Sequence, residues 1–351
     1  SERYCKYMSA NNIFSKDLAI DLGTCYTRII VAGDGLSVYE PTVLARDTKT
    51  GELLAVGSEA REMEGKNPSC VKIIKPIENG VISDFSNTTA LLKAFLLKAC
   101  KKSIIKPRVI ITVPGNITEV EKRAMIDAVT VAGARRCFIL ESTVAAASGA
   151  NCDVSLARGM LTAHIGGGRC DIAALSVGHA VISNSITTAG NRFTDATIKY
   201  IKNRYDMNIG WVTAETLKED IGCVYSLDTP QSRKIYGCDA STGIPRCVTV
   251  SSVELKEAYE EVLSPITEAI KATLEDTPPE LLGDILEDGI LLTGGGAKLY
   301  GIDRRIRMSL GIKVFLADNI DLCAVMGAGM ELEKLNQKKP LIQAVSASVN
   351  F

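Results

Sequence analysis

The stretch TAHIGGGRCDIAAL, residues 162–175, combines residue types that can bind phosphate. It reads as an apolar strand, a triple-glycine turn and a second strand. Glycine lets the backbone approach a ligand closely, and successive backbone N–H groups in such a turn can bind an anion. His164 enters the turn, and Arg169 and Cys170 follow it. Because carboxylates usually hold Mg²⁺ near phosphates, a histidine here leaves open whether the site still performs chemistry on a nucleotide.

A related hairpin, AIDLGTCYTRIIVA, spans residues 19–32 and places Asp21 in register with His164. Both stretches share the order strand, glycine turn, strand, and each precedes a βαβ-type stretch. This weak internal repeat predicts two related α/β lobes whose hairpins hold a polyphosphate from both sides. On these residues alone, chance similarity between two glycine turns remains the alternative.

Several other elements have clear sequence signals. TEVEKRAMIDAVTVAG, residues 118–133, predicts a helix with a threonine N-cap, an acidic first turn and a glycine stop. A long helix is expected from Glu254 to about Leu274, and a last one near Gly327 to Asn336. DGILLTGGGAKLYGIDRRI, residues 288–306, predicts a strand, a glycine turn and a helix beginning after Gly296, whose N-terminal dipole would favour an anion.

Composition excludes several classes of protein. The chain has 351 residues, 46% of them hydrophobic, and a net charge of −1, which predicts more than one core and gives no basic surface for nucleic acid. Its 11 cysteines are scattered and it has only two histidines, so neither a disulfide framework nor a zinc site is expected. Without a secretion signal or a bilayer-spanning apolar run, the sequence favours a reducing cytosol.

A family resemblance is carried by six motifs, in the right order, from about Asp17 to Asn336. They are DLAIDLGTCYT, EPTVLA, KPIENGVISDF, KPRVIITVPGNITEVEKRAMIDA, TPPELLGDILEDGILLTGGGAKLYGID and AVMGAG. With these motifs the sequence resembles the bacterial actin family MreB. The resemblance implies an α/β, actin-like two-lobed fold of duplicated ribonuclease-H-like domains, with ATP or ADP and Mg²⁺ in the cleft between the lobes.

The expected domain organisation follows the same resemblance. It comprises an N-terminal tail 1–16, lobe I 17–143 with an insertion at about 33–75, lobe II 144–319 with an insertion at about 188–250, a C-terminal helix 320–338 that returns to lobe I, and a tail 339–351.

The resemblance also implies nucleotide-binding residues. The first phosphate hairpin of the family matches this sequence at Asp21, Gly23, Thr24, Cys25 and Tyr26, and the second matches at Gly166, Gly167 and Gly168. The helix that lines the nucleoside matches at Glu215 and Lys218. The third glycine loop matches at Gly294, Gly295, Gly296 and Ala297. Asp220 stands where the family usually has glutamate. Asp21 would hold Mg²⁺ through water.

Three departures from the family pattern fall where hydrolysis would occur. The family's DIGGGTT begins with aspartate, whereas this sequence has His164, with Arg169 and Cys170 in place of the threonines. An imidazole cannot replace a carboxylate that orders the water shell of Mg²⁺. The family's Gly-Asp-Glu becomes Gly190-Asn191-Arg192, and Arg169 and Arg192 either bind phosphate or are merely solvated.

The water-activating position is also altered. The family's EEPMAAA aligns Glu141 with its first glutamate and Ser142 with its catalytic second one. Serine lacks basicity near neutral pH, so general-base help worth about 10²–10⁴-fold would be lost. Because side chains alternate along a strand, Glu141 is expected to point away from the site unless the strand bulges, although it stays a possible substitute. The sequence therefore predicts an ATP-binding filament subunit with weak or absent hydrolysis.

The resemblance places such filaments in the cytoplasm at the inner face of the membrane, with other copies of the chain and possible cell-shape membrane proteins as partners. In KKSIIKP the apolar pair Ile104 and Ile105 stands among lysines, which suits insertion beside anionic headgroups. The alternative for this stretch is a helix end that leads into the next strand.

Two rival functions share the superfold. A small-molecule kinase would need a catalytic aspartate, and the loss of acidic cleft residues argues against it. A chaperone-like switch would need a peptide-binding domain, and none follows Asn336.

Overall fold

The computed structural model describes residues 16–100 and 105–335. The chain forms two compact units: unit 1 contains the described residues up to Leu156 and from Leu322 onward, and unit 2 is Ala157–Asp321.

Unit 1 begins with ten strands and four helices. The strands are β1 Leu18–Leu22, β2 Tyr26–Val31, β3 Gly35–Pro41, β4 Leu44–Asp47, β5 Leu53–Val56, β6 Val71–Ile74, β7 Ile77–Glu78, β8 Val81–Ile82, β9 Arg108–Val113 and β10 Arg136–Glu141. The helices are α1 Ser58–Met63, α2 Phe85–Ala99, α3 Glu119–Ala132 and α4 Ser142–Gly149.

Unit 2 has eight strands and five helices. The strands are β11 Met160–Ile165, β12 Cys170–Ser176, β13 His179–Ile186, β14 Met207–Asn208, β15 Ser232–Asp239, β16 Pro245–Ser251, β17 Ile290–Thr293 and β18 Val314–Leu316. The helices are α5 Gly190–Tyr205, α6 Trp211–Ile221, α7 Ser252–Glu275, α8 Pro279–Asp288 and α9 Ile302–Leu310, with a short 3-10 turn at Gly295–Lys298. The last helix, α10 Cys323–Leu335, belongs to unit 1.

The two main sheets have the same topology. In unit 1 the order is β10-β9-β1-β2-β3, and in unit 2 it is β18-β17-β11-β12-β13. In each, the first hairpin strand pairs antiparallel with the second and parallel with a later strand. The internal repeat seen in the sequence is therefore a repeated sheet, which confirms the predicted actin-like α/β class.

A smaller three-stranded sheet accompanies each main sheet. Strands β5-β4-β6 form it in unit 1, and β14-β15-β16 form it in unit 2. Each unit also has its own apolar core, with the strands β1 and β9 at the centre of one and β11 and β17 at the centre of the other. These cores fix the hairpins that carry the glycine turns.

Close packing of α4 against α10 explains where unit 1 ends. A Cβ atom added at Gly149 would lie 1.9 Å from the Cys323 carbonyl oxygen, and one at Gly327 would lie 1.9 Å from the Ala145 carbonyl oxygen. Only glycine allows the two backbones to approach so closely. Helix α4 therefore stays with unit 1, so the change of unit after Leu156 lies beyond the expected lobe boundary at 143/144.

The strongest sequence signals give the expected helices. Helix α3 has the Thr118 N-cap in a full capping box with Glu121 and ends at Gly133, whose φ is 129°. Helix α7 covers the predicted long helix, and α10 begins four residues before the predicted Gly327. Across residues 16–100 and 105–335, no helix combines the length and the apolar character needed to cross a membrane.

Candidate functional site

The first glycine turn is closed by its own backbone. Gly23 N donates to the Tyr26 carbonyl oxygen at 3.1 Å, and Thr42 Oγ1 donates to the Gly23 carbonyl oxygen at 2.8 Å. The Thr24 hydroxyl accepts from Gly80 N at 2.9 Å, which ties the turn to the loop between β7 and β8. Two of the predicted binding residues, Gly23 and Thr24, thus have structural partners within unit 1.

Asp21 lies on β1 with both carboxylate oxygens engaged. Arg28 Nη1 donates to Oδ2 at 3.0 Å across the β1–β2 pair, and Thr112 Oγ1 donates to Oδ1 at 2.9 Å from β9. Asp21 is only 8% exposed. The Arg28 guanidinium also lies 5.0 Å from the ring centroid of Tyr39, which stacks on Tyr26 at 5.2 Å. The negative charge of Asp21 is therefore balanced by Arg28, and its side chain is held in place within its own sheet.

The second glycine turn has the same geometry and meets a helix N-terminus. Gly166 N donates to the Arg169 carbonyl oxygen at 2.8 Å, as Gly23 does in the first turn. Gly190 N and Asn191 N, at the start of α5, donate to the carbonyl oxygens of Gly166 and Gly167 at 3.0 and 2.6 Å. These bonds fix the second turn against α5, and a glycine turn held in this way can offer its remaining backbone N–H groups to an anion.

His164 on β11 lies beside a buried carboxylate. Its Nδ1 is 3.0 Å from Thr293 Oγ1 on β17, and its cross-strand partner on β12 is Asp171. Asp171 is 3% exposed, and its Oδ1 accepts from Arg169 Nε at 3.2 Å and from the Ser185 hydroxyl. Burial raises the pKa of the Asp171 carboxyl, while Ser185, His164 and Arg169 act in the opposite direction.

The two main sheets place three polar side chains at equivalent register positions. They are Asp21, Arg28 and Thr112 in unit 1, and His164, Asp171 and Thr293 in unit 2. The threonines match, but the carboxylate changes strand. It lies on the first hairpin strand in unit 1 and on the second in unit 2, with a basic residue opposite it in each case.

The third glycine loop packs against the second turn. Gly294 has φ of 88°, and a Cβ atom there would lie 2.3 Å from the Ile165 carbonyl oxygen. A Cβ atom at Gly296 would lie 2.7 Å from the Gly166 carbonyl oxygen. Ala297 is fully buried in the core, so its side chain packs there.

The helix N-terminus expected directly after Gly296 does not lie there. Gly295–Lys298 is a single 3-10 turn, and α9 starts only at Ile302. The prediction of a helix beginning after Gly296 is therefore wrong. The helix N-terminus that meets the glycine turns of unit 2 is that of α5.

Helix α6 is tied to the start of α5. Lys218 Nζ donates to Glu215 Oε2 at 2.7 Å, to Thr194 Oγ1 at 3.0 Å and to the Gly190 carbonyl oxygen at 3.1 Å. The Thr194 hydroxyl also donates to Glu215. Asp220 pairs instead with Arg233 of β15 at 2.6 Å. The predicted Glu215 and Lys218 thus position the α5 N-terminus.

The position to which the family resemblance assigns water activation lies at a strand-to-helix junction. Strand β10 ends at Glu141, which is the N-cap of α4, and the buried Ser142 is the first helical residue. Strand alternation therefore does not govern the relative directions of these two side chains, and the argument that Glu141 must point away does not hold.

Two other substituted residues have separate environments. Cys170 is fully buried on β12, and burial raises the pKa of its thiol, so its contribution is packing. The Arg192 side chain, in the first turn of α5, is more than half exposed, and its Nη1 lies 3.7 Å from Asp195 Oδ2.

Magnesium fits these residues poorly. Asp21, predicted to hold Mg²⁺ through water, already accepts one hydrogen bond on each oxygen, from Arg28 and from Thr112. In unit 2 the equivalent position is a histidine. Within the two described ranges, no group of three or more His, Cys, Asp or Glu side chains could hold a metal ion. At the two predicted positions Mg²⁺ would meet one carboxylate that is paired with an arginine and one imidazole, which is a poor fit for this ion.

Comparison with known proteins decides the family. The family model for MreB/Mbl protein matches residues 15–340. The chain belongs to the MreB/Mbl family. The cell shape-determining protein Mbl of Bacillus cereus is 42% identical over 326 residues, which cover 93% of this chain and 98% of that protein. The cell shape-determining protein MreB of Escherichia coli is 39% identical over 330 residues, which cover 92% of this chain and 95% of that protein.

Solved structures agree with this assignment to the MreB/Mbl family. MreB5 of Spiroplasma citri bound to ADP matches with a TM-score of 0.89 and 33% identity over 93% of this chain and all of that one. The same protein bound to AMPPNP matches with a TM-score of 0.88 at 33% identity, covering 92% and 97%. A MamK double helical filament chain matches at 0.79 and 20% identity over 93% and 100%, which shows the fold alone.

Sequence reasoning within the MreB/Mbl resemblance missed four polar residues of the hairpin sheets. They are Arg28, Thr112, Asp171 and Thr293. A signal for two of them was present, because Arg28 stands seven residues after Asp21 and Asp171 stands seven residues after His164. The threonines become neighbours only through parallel strand pairing.

The apolar pair expected at a membrane is only partly described. Ile104 lies outside the described residues, and Ile105 is 41% exposed just before β9.

Proposed function

We propose that this member of the MreB/Mbl family binds ATP or ADP and polymerises into cytoskeletal filaments that serve cell shape. The observation that carries the proposal is the pair of hydrogen bonds from the α5 N-terminus into the second glycine turn, at 3.0 and 2.6 Å. They hold the second glycine turn rigid, so that its remaining backbone N–H groups would be fixed for phosphate. MreB5 of Spiroplasma citri, the relative bound to AMPPNP and to ADP, supports the choice of ligand.

The proposed nucleotide-binding residues divide between the two units. In unit 1 they are Asp21, Gly23, Thr24, Cys25 and Tyr26. In unit 2 they are Gly166, Gly167, Gly168, Glu215, Lys218, Gly294, Gly295, Gly296 and Ala297. The backbone amides of the glycine turns would bind the phosphates. Glu215 and Lys218 would act indirectly, by holding the start of α5, which donates two hydrogen bonds to carbonyl oxygens of the second turn.

Hydrolysis by this chain is proposed to be weak. Ser142 stands at the family's water-activating position and cannot accept a proton near neutral pH. Glu141, next to it at the strand end, is the remaining candidate base. A subunit that keeps its nucleotide would form long-lived filaments.

The proposed location is the cytoplasmic face of the cell membrane, where filaments of this chain would meet cell-shape membrane proteins. Ile104 and Ile105, flanked by lysines, would insert beside anionic headgroups. Replacing both with serine is expected to lower co-sedimentation of the full chain with anionic liposomes. Unchanged co-sedimentation would rule out this loop as the anchor.

Polymerisation is tested by sedimentation of the full chain with ATP, with ADP and without nucleotide. A filament subunit pellets only above a threshold concentration, and nucleotide is expected to lower that threshold. The kinase alternative predicts no pelleting at any concentration, together with ATP consumption that depends on a small acceptor molecule. That second pattern would overturn the proposal.

A further inference from the structure

If the chain binds a nucleotide as proposed above, the charges of the two hairpins determine how strongly that binding depends on a metal ion. A polyphosphate carries several negative charges, and carboxylates beside it are usually tolerated because a divalent cation lies between them. The relevant question is therefore whether each hairpin has a carboxylate that needs such a cation.

In unit 1 the charge of the hairpin carboxylate is already balanced by an arginine. Asp21 is buried, with Arg28 at 3.0 Å on one oxygen and Thr112 at 2.9 Å on the other. A buried charge is stable when an opposite charge and hydrogen bonds satisfy it, and both conditions are met here. The ion pair with Arg28 weakens the attraction of Asp21 for a divalent cation, because its negative charge is already balanced.

In unit 2 the carboxylate has moved away from the equivalent position. His164 stands there, and Asp171 on the neighbouring strand is paired with Arg169 at 3.2 Å and accepts from Ser185. Two arginines thus balance the two aspartates of the hairpins, one pair in each unit. Neither hairpin has an uncompensated negative charge that would repel phosphates or attract a divalent cation.

From this balance we infer that the chain binds its nucleotide without needing Mg²⁺. Arg28 and Arg169 balance the carboxylates that a metal ion would otherwise have to separate from the phosphates, and the backbone amides of the glycine turns bind the phosphates.

The test is calorimetric titration of the full chain with ATP, once in excess EDTA and once in excess MgCl₂. The expected ratio of the two dissociation constants is below about fivefold. A ratio of about fivefold or more in favour of MgCl₂ would overturn the inference. Absence of binding in both buffers would overturn the proposed nucleotide-binding function, and the inference with it.

A variant tests the assignment of Arg28. Arg28→Met removes the charge but keeps the length of the side chain, so Asp21 is left unpaired and metal dependence is expected to rise to about tenfold or more. Arg123→Met on the surface of α3 is the matched control, with an unchanged ratio. A ratio for Arg28→Met equal to that of the unaltered chain would contradict the role of Arg28.

A second variant covers the case in which Arg28→Met does not fold, as judged by circular dichroism. His164→Asp adds a carboxylate opposite Asp171 and is expected to raise metal dependence in the same direction. An unchanged ratio for this variant would overturn the charge-balance explanation in unit 2.

Discussion

Arg28 and Asp21 form a buried ion pair across β1 and β2, with Nη1 3.0 Å from Oδ2. At the equivalent positions of unit 2, the order of acid and base is reversed, because His164 precedes Asp171. The repeated sheets thus keep their geometry while exchanging the chemistry of one register position. This exchange places a histidine in unit 2 where unit 1 has a carboxylate, and it leaves the glycine turns intact.

Gly296 provides a test of that scaffold. In Gly296→Ala the new Cβ atom would lie 2.7 Å from the Gly166 carbonyl oxygen and 2.8 Å from Ile165 Cγ2, so the third loop must move away from the second turn. We expect nucleotide affinity to fall about tenfold or more and the free energy of unfolding to fall by about 1–3 kcal/mol. Calorimetric titration and urea denaturation measure the two effects.

Gly283 is the matched control for this substitution. It lies inside α8, and a Cβ atom there meets nothing within 4 Å. Gly283→Ala is expected to stabilise the chain by about 0.4–1 kcal/mol and to leave nucleotide affinity unchanged. Equal affinities for the two variants would contradict the proposed role of the Gly296 contact.

Lys218 connects α6 to the start of α5 through two hydrogen bonds, to Thr194 and Gly190, and it also pairs with Glu215 on α6 itself. Lys218→Met leaves Glu215 largely buried without its ammonium partner, which is expected to cost about 1–3 kcal/mol of unfolding free energy. Nucleotide affinity is expected to fall about tenfold because the Gly190 turn loses its support. Lys199→Met, at an exposed pair 3.6 Å from Glu261, should change stability by less than about 1 kcal/mol. Unaltered affinity in Lys218→Met would show that α6 does not position the site.

Asp171 gives a pH dependence of known sign. Burial raises its pKa above the ordinary value of 3.8 in the folded chain, so between 3.8 and that raised value the folded state holds more protons than the unfolded state. The contribution of Asp171 to the free energy of unfolding therefore falls as pH rises through this window. Asp171→Asn cannot titrate, so its stability relative to the unaltered chain should increase over the same window.

Asp84 supplies a control of opposite sign. The backbone amide of Asn87 donates to this N-cap of α2 and lowers its pKa below 3.8. Its contribution is complete above pH 3.8 and is lost as pH falls through the lowered value. Relative to the unaltered chain, Asp84→Asn should therefore lose stability as pH rises towards 3.8. Urea denaturation from acidic to neutral pH checks both signs, and parallel trends for the two variants would contradict them.

Local signals in the sequence predicted the elements well. Thr118, Glu121 and Gly133 specify α3 because a capping box and a positive-φ glycine act within a few residues. The strand–turn–strand order of the two glycine hairpins likewise predicted the repeated sheet. By contrast, the helix expected after Gly296 is a short 3-10 turn, because Gly294 and Gly296 are used for close packing against Ile165 and Gly166.

Long-range contacts decided what the sequence did not predict. The pairing of Arg28 with Asp21 depends on hairpin register, and the contacts of Thr112 and Thr293 depend on parallel strands far away in the chain. The place of α4 depends on glycine contacts with α10, almost two hundred residues later in the chain. Sequence periodicity describes one element at a time, so such pairings become visible only once the sheets are assembled.

We propose a site that retains nucleotide but scarcely hydrolyses it. The most direct test is phosphate release from ATP at a chain concentration high enough to polymerise, measured together with the amount of bound nucleotide. We expect phosphate release at the background rate while ATP stays bound. Release well above background that disappears in Glu141→Gln would contradict it and would assign the water-activating role to Glu141.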